Sequence, residues 1–158
     1  MRMYKSYGDV MKEWLKAYRK NEESIDEQLE KIRELRGHMM SISAQELTDM
    51  PKAPGNPKDK MSEYVARLDM LERQVKEAIK VHEESKNALE KAIGYMDSFK
   101  MQNIIRYRYL YGYEWSDVVA KMYQEKEDWP AKINNYTRRV YRDHERALEH
   151  LARCWNKK

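Results

Sequence analysis

The sequence predicts an all-α protein, with a long antiparallel helical hairpin or coiled coil at residues 1–96 and a helix-turn-helix at residues 97–158. Ala, Glu, Lys, Leu and Arg account for 70 of the 158 residues, close to the half that is typical of coiled-coil chains. Two long stretches repeat apolar residues at alternating intervals of three and four, which indicates helices. Near the end, two shorter helical patterns precede an amphipathic segment with a row of arginines, the order found in a helix-turn-helix.

The first long helical pattern runs from Met11 to Met39. Its seam is apolar except at Glu22 and Arg36, and Gly37 weakens its C-terminal end by up to ~1 kcal/mol relative to Ala. The seam positions are Met11, Leu15, Tyr18, Glu22, Ile25, Leu29, Ile32, Arg36 and Met39. We expect one helix that buries this seam against a second helix.

Residues 50–60 contain three of the four prolines of the chain, so we expect an exposed linker there. A second seam follows, and it begins at Met61. Its positions are Met61, Tyr64, Leu68, Leu71, Val75, Ala78, His82, Ser85, Leu89, Ala92 and Met96. Two seams joined by one loop predict an antiparallel hairpin, or a contribution to a dimeric bundle.

Three shorter helical patterns occupy residues 97–158. The first ends near Gly112, a residue suited to the left-handed conformation that follows many helices. The second runs from Glu114 to Met122, and the third begins after Asn134 and Asn135, either of which can cap its first turn. The apolar face of the third helix consists of Val140, His144, Ala147, Leu148, Leu151 and Trp155.

Arginines form a stripe on the other side of the last helix, where Arg138, Arg142 and Arg146 follow at intervals of four. Residues 1–96 carry no net charge, whereas residues 97–158 hold 13 basic and 9 acidic side chains. A basic C-terminal end fits a nucleic-acid partner that is reached through the last helix. Since the last helix of a helix-turn-helix lies in the major groove, we expect double-stranded DNA as the partner.

The same arginines have an alternative interpretation as a solvated face. Side chains three or four residues apart on a helix are neighbours. Arg139 can therefore pair with Asp143, and Arg142 can pair with Glu145, or with Glu149 two turns further along the same side of the helix.

Two segments of this C-terminal region resemble a known family. The pattern RYLxGxxWSDVV at Arg108 to Val119 and the pattern TRRVYRxHxxAL at Thr137 to Leu148 are similar to the ArpU/RinA-type regulators of temperate phages. The upstream half, from the proline-rich linker to LDMLERQV, also resembles that family. In that family the connection between the second and third helices is usually a few residues long. In this chain residues 123–135 form a longer, acidic connection.

This resemblance implies a helix-turn-helix like the fourth region of bacterial sigma factors. It also implies activation of late phage genes for packaging or lysis, with RNA polymerase as a further partner. Within that picture we expect two groups of DNA contacts. Phosphate contacts are expected from Lys132, Asn135, Tyr136, Thr137 and Arg146, and base contacts in the major groove from Arg138, Arg139 and Arg142.

Several function classes lack their sequence signals. No nucleophile–base pair or glycine-rich phosphate loop is visible, so we expect neither an enzyme nor a cofactor. His144 and His150 are six residues apart, whereas a zinc pair on one helix needs a spacing of four. No window approaches a transmembrane length, and one cysteine, Cys154, allows no internal disulfide. We expect no membrane partner and a location in the cytoplasm of a bacterial host.

Two alternative functions remain open on the sequence. One is a phage DNA-packaging recognition subunit, although the DNA-binding part of such proteins usually comes first in the chain. The other is a helical protein-interaction module or inhibitor that does not bind DNA and works through the N-terminal helices. Those helices could also mediate a homo-oligomer in any of the three cases.

Overall fold

The structure, a computed structural model, describes residues 5–46 and 57–155. Within these ranges the regular structure is entirely helical, which confirms the all-α prediction. The elements are α1 (Tyr7–Glu46), α2 (Pro57–Gly94), α3 (Phe99–Ile105), a π-helical segment (Arg106–Leu110), α4 (Trp115–Tyr123) and α5 (Ile133–Cys154). None of the described helices is long and apolar enough to cross a membrane.

The chain forms two compact units, and both long helices contribute to each of them. Unit 1 comprises Met1–Lys20 and Glu83–Lys158, and unit 2 comprises Asn21–His82. The boundary expected at residue 96 falls inside unit 1. The start of α1 and the end of α2 therefore belong to the same unit as the C-terminal helices.

Unit 1 has a main core built from the start of α1, the end of α2, α3, the π-helical segment and α5. Leu15, Leu89 and Leu148 are among its fully buried side chains. Trp14 and Trp155 meet edge to face at its margin, with their ring centroids 4.6 Å apart. Large apolar side chains far apart in sequence thus hold α5 in place, since burial of such groups is the main driving force of folding.

A second core of unit 1 joins α4 to α5. Its buried members are Val118, Val119, Tyr123, Tyr136 and Val140. The two valines occupy neighbouring positions on the apolar side of α4, as the sequence pattern predicts. This core fixes the position of α5 beside α4.

Unit 2 has a much thinner core. Its buried apolar residues are Ile25, Ile32, Leu35 and Val75. Arg36 lies outside this core and forms an ion pair with Glu72, so Leu35 takes the buried position expected at Arg36. A straight helix has 3.6 residues per turn and drifts from a strict seven-residue repeat, which accounts for this shift along α1.

Two helix starts differ from their predictions. Helix α2 begins at Pro57 instead of Met61, because proline fits the first helical turn, where its missing N–H is not needed. Helix α5 begins at Ile133, and the side chain of its N-cap residue Lys132 makes no capping hydrogen bond. Asn134 and Asn135 therefore lie within the helix, and the predicted asparagine cap is wrong. The rest of the expected linker, residues 50–56, lies outside the described residues.

Gly112 has a φ of 72°, as expected for a residue that follows a helix in the left-handed conformation. It does not end a regular α-helix, because the π-helical segment lies between α3 and the turn. A Cβ atom at this position would lie 2.7 Å from Cζ of Arg19. Both the backbone and the neighbouring side chain therefore favour glycine here.

Candidate nucleic-acid interface

Helix α5 has one buried face and one exposed face. The buried face contains every α5 residue of the predicted apolar set, and it also includes Tyr136, Asp143 and Cys154. Trp155, which follows the helix, is half-buried against the main core. Four predicted contact residues, all arginines, are on the exposed side: Arg138, Arg139, Arg142 and Arg146.

Among the described residues, Arg138, Arg142 and Arg146 form no ion pair. The acidic residues that could have neutralised the arginine side have other partners. Lys12 of α1 pairs with Glu145 at 3.3 Å, and the backbone N–H of Gly8 donates a hydrogen bond of 3.3 Å to Glu149. The expected surface pairs within α5 are thus replaced by contacts with α1.

Asp143 is also engaged elsewhere. It is only 8% exposed, and its Oδ2 lies 2.7 Å from Nζ of Lys100 on α3. Burial alone would lower the pKa of Lys100, but the contacts with Asp143 and Tyr123 outweigh it and raise that pKa above its usual value. Lys100 therefore stays charged and neutralises Asp143, so that Asp143 is not a partner of Arg139.

The predicted phosphate contacts near the start of α5 differ from one another. Asn135 is exposed, and Lys132 is exposed but paired with Asp128 at 3.3 Å. Thr137 is half-buried, and its hydroxyl donates to the carbonyl oxygen of Ile133 at 2.9 Å. Tyr136 is buried, so we withdraw it from the proposed interface.

Tyr136 instead ties the connection between α4 and α5 to the helix. Its ring stacks on Tyr123 at 4.6 Å and on Trp129 at 6.0 Å between centroids. Its hydroxyl donates to Oδ1 of Asp128 at 2.5 Å. This hydrogen bond is the main reason that the pKa of Asp128 is lowered and that of Tyr136 is raised. The predicted long acidic connection is thus a sequence of turns attached to the start of α5.

Arg139 has a different environment from the other three arginines. Its guanidinium carbon lies 5.7 Å from the ring centroid of Tyr136 and 5.9 Å from that of Tyr123. Both distances are within the range of a cation–π contact. Sequence reasoning did not find this arrangement, because Tyr123 belongs to α4 and its position beside α5 depends on the second core.

A buried polar pair connects the π-helical segment to the buried face of α5. The hydroxyl of Tyr109 and Nε2 of His144 are 2.9 Å apart, and the rings of Trp115 and His144 pack edge to face at 4.6 Å between centroids. Burial lowers the pKa of His144 to about 4, with contributions from nearby lysine and arginine charges. Burial also raises the pKa of Tyr109 to about 12. Both side chains are therefore neutral at pH 7 and serve as a packed hydrogen-bonded pair.

In the part of the chain that the structure describes, no three His, Cys, Asp or Glu side chains are grouped so as to hold a metal ion. Cys154 is buried, and its Sγ lies 3.5 Å from the carbonyl oxygen of Tyr95. What this region offers chemically is therefore a set of exposed guanidinium groups on a rigid helix. Such groups bind phosphates and the acceptor-rich edge of guanine.

Comparisons of the chain with protein-family models, with curated proteins and with solved structures find no match.

Proposed function

We propose that the protein is a sequence-specific DNA-binding transcriptional regulator that places α5 in the major groove. The observation that carries this proposal is the exposed arginine set of α5, whose acidic neighbours on the same helix are engaged by Lys12, Gly8 and Lys100. An arginine that has no carboxylate partner loses no ion pair when it binds a phosphate or a base. The proposal is further supported by the net positive charge of residues 97–158.

In this proposal α4 and α5 act as a helix-turn-helix with a long connection. Helix α4 supports the recognition helix through Val118, Val119 and Tyr123, which pack against Tyr136 and Val140. A recognition helix needs such support, because base contacts require a fixed helix position in the groove.

The residues along the arginine side of α5 and at its N-cap then have distinct roles. Arg138 and Arg142 read base edges, since arginine can donate two hydrogen bonds to guanine. Asn135, Thr137, Arg146 and Lys132 contact the backbone, and Lys132 exchanges Asp128 for a phosphate.

The N-terminal helices form an antiparallel hairpin in this proposal. The Arg36–Glu72 ion pair in unit 2, and the shared core of Leu15 and Leu89 in unit 1, support this pairing of α1 with α2. The thin core of unit 2 makes it a suitable place for a second copy of the chain or for RNA polymerase. By its resemblance to the ArpU/RinA-type regulators, the protein would activate late genes of a temperate phage.

The test is selection of bound duplexes from a random DNA library, followed by measurement of affinity by fluorescence anisotropy. A variant with Arg138, Arg142 and Arg146 changed to Gln should recover no enriched sequence. A matched control changes three exposed arginines of unit 2, Arg33, Arg67 and Arg73, to Gln, and it removes the same charge. The control should recover the same DNA sequence as the unchanged protein.

Two results would contradict the proposal. Failure of the unchanged protein to bind any duplex at low salt would favour the interaction module. Equal loss of binding in both triple variants would show that net charge, and not α5, governs the affinity. Light scattering on the DNA-bound protein distinguishes a transcriptional regulator from a DNA-packaging subunit, since a ring-shaped assembly would favour the packaging subunit.

A further inference from the structure

Arg139 lies at the edge of the exposed face of α5, whereas Arg142 lies at its centre. Residues three and four apart on a helix are neighbours. On one side, the neighbours of Arg139 are Tyr136 and Asp143, and both are buried. The neighbours of Arg142 on both sides, among them Arg138 and Arg146, are exposed.

This difference in position predicts a difference in role on DNA. When a helix lies in the major groove, the centre of its exposed face meets the base edges, and its flanks meet the sugar–phosphate strands that border the groove. Arg139 is on the flank that faces the end of α4. It is thus too far to the side to read bases together with Arg142.

Among the four exposed arginines proposed as DNA contacts, Arg139 is also the one whose guanidinium group lies over aromatic rings before any ligand binds. The rings of Tyr123 and Tyr136 stack on each other and both lie within 6 Å of the guanidinium carbon. Neither tyrosine is free to move, because both are buried in the second core. Pre-positioning reduces the conformational entropy that a long side chain loses on binding.

We infer that Arg139 is a phosphate clamp, and that Tyr123 and Tyr136 are the residues that position it against the DNA backbone. This inference rests on the proposed function and changes the role of Arg139 from a base contact to a backbone contact. The charge near these rings agrees with it: Lys100 lies 5.6 Å from the ring centroid of Tyr123, although it is paired with Asp143.

The experiment compares Arg139→Ala with Arg142→Ala on the selected duplex and on a scrambled duplex over a salt series. Arg139→Ala should weaken both complexes by the same factor, roughly 5-fold to 20-fold. It should also reduce the salt slope of the affinity by about 0.9, the value for one phosphate contact. A role confined to folding stability would leave this slope unchanged.

The positioning role of the tyrosines is tested by a double-mutant cycle. Tyr136→Leu should weaken DNA binding in the unchanged background and have no further effect in the R139A background. Tyr136→Phe keeps the ring and should retain the affinity. Arg139→Lys, a surface change that does not endanger folding, should retain the salt slope but recover only part of the affinity.

Three outcomes would overturn the inference while the proposed function stands. They are a change in the ratio of specific to scrambled affinity in R139A, an unchanged salt slope in R139A, and full affinity in R139K. Absence of all DNA binding by the unchanged protein would overturn the proposed function, and this inference with it.

Discussion

The hydroxyl of Tyr136 donates a 2.5 Å hydrogen bond to Oδ1 of Asp128. It joins the buried Tyr136, in the first turn of α5, to a connection that would otherwise be a long surface loop. The backbone adds to this attachment, since Lys132 N–H donates to the Asp128 carbonyl oxygen at 3.1 Å. The connection is thus fixed to the helix that it precedes, although it is long.

Loss of this hydrogen bond should loosen the connection between α4 and α5. We expect Asp128→Ala and Tyr136→Phe each to increase the rate at which a protease cleaves residues 124–131. Asp128→Ala also removes the ion pair with Lys132, so its effect should be the larger. Glu125→Gln, at an exposed position in the same connection, is the control and should cleave at the original rate. Equal rates in all four proteins would show that the hydrogen bond does not hold the connection.

Arg142 and Arg146 should respond differently to substitution by alanine. Arg142→Ala should cost ~1–3 kcal/mol on the selected duplex and relax discrimination at one base pair, because the lost contact is to a base. Arg146→Ala should weaken specific and scrambled duplexes equally and reduce the salt slope by ~0.9. Anisotropy titrations with both duplexes measure these effects. If Arg142→Ala leaves the ratio of the two affinities unchanged, Arg142 does not read a base.

Acid should destabilise the protein through His144. The pKa of His144 is about 4 in the folded chain, whereas an unperturbed histidine, as in the unfolded chain, has a pKa of 6.5. Between these values the unfolded chain binds the proton and the folded chain does not, so the free energy of unfolding decreases as the pH falls from about 6.5 to about 4. The total loss is of the order of 3 kcal/mol.

Urea denaturation at pH 7 and at pH 4.5 tests this dependence. His144→Gln should flatten the pH profile, since glutamine carries no titrating group. The exposed His38 of α1 provides the control, and His38→Gln should retain the profile of the unchanged protein. A profile that is the same in all three proteins would assign the acid sensitivity to other groups.

Gly112→Ala and Gly37→Ala should change stability in opposite directions. At Gly112 the φ of 72° and the nearby Arg19 guanidinium make a side chain unfavourable, and we expect a loss of ~1–2 kcal/mol in the free energy of unfolding. At Gly37 a Cβ would meet nothing within 4 Å, and alanine should add up to ~1 kcal/mol through its higher helix propensity. Thermal denaturation followed by circular dichroism measures both. A stabilising effect of Gly112→Ala would contradict the strained-turn assignment.

The sequence by itself determined the helices, the left-handed turn at Gly112 and the arginine side of α5. These are local properties, because helical periodicity and turn preference depend on residues within a few positions of each other. The apolar set from Val140 to Leu151 shows this, since every member is buried as its spacing predicts. The described residues contain no strand for the same reason, namely that the local apolar spacing is helical.

Only the tertiary structure decided which charges and rings surround the arginines. Glu145 forms an ion pair with Lys12, which is 133 residues away in sequence. Glu149 accepts a hydrogen bond from the backbone N–H of Gly8, which is 141 residues away. Tyr136 was expected at a phosphate but is buried beneath Trp129 and Tyr123. Such contacts depend on how separate helices cross and pack, and a spacing pattern within one helix carries no information about its neighbours. For this reason the arginine stripe could be read from the sequence, whereas the partners of its acidic neighbours and the aromatic support of Arg139 could not.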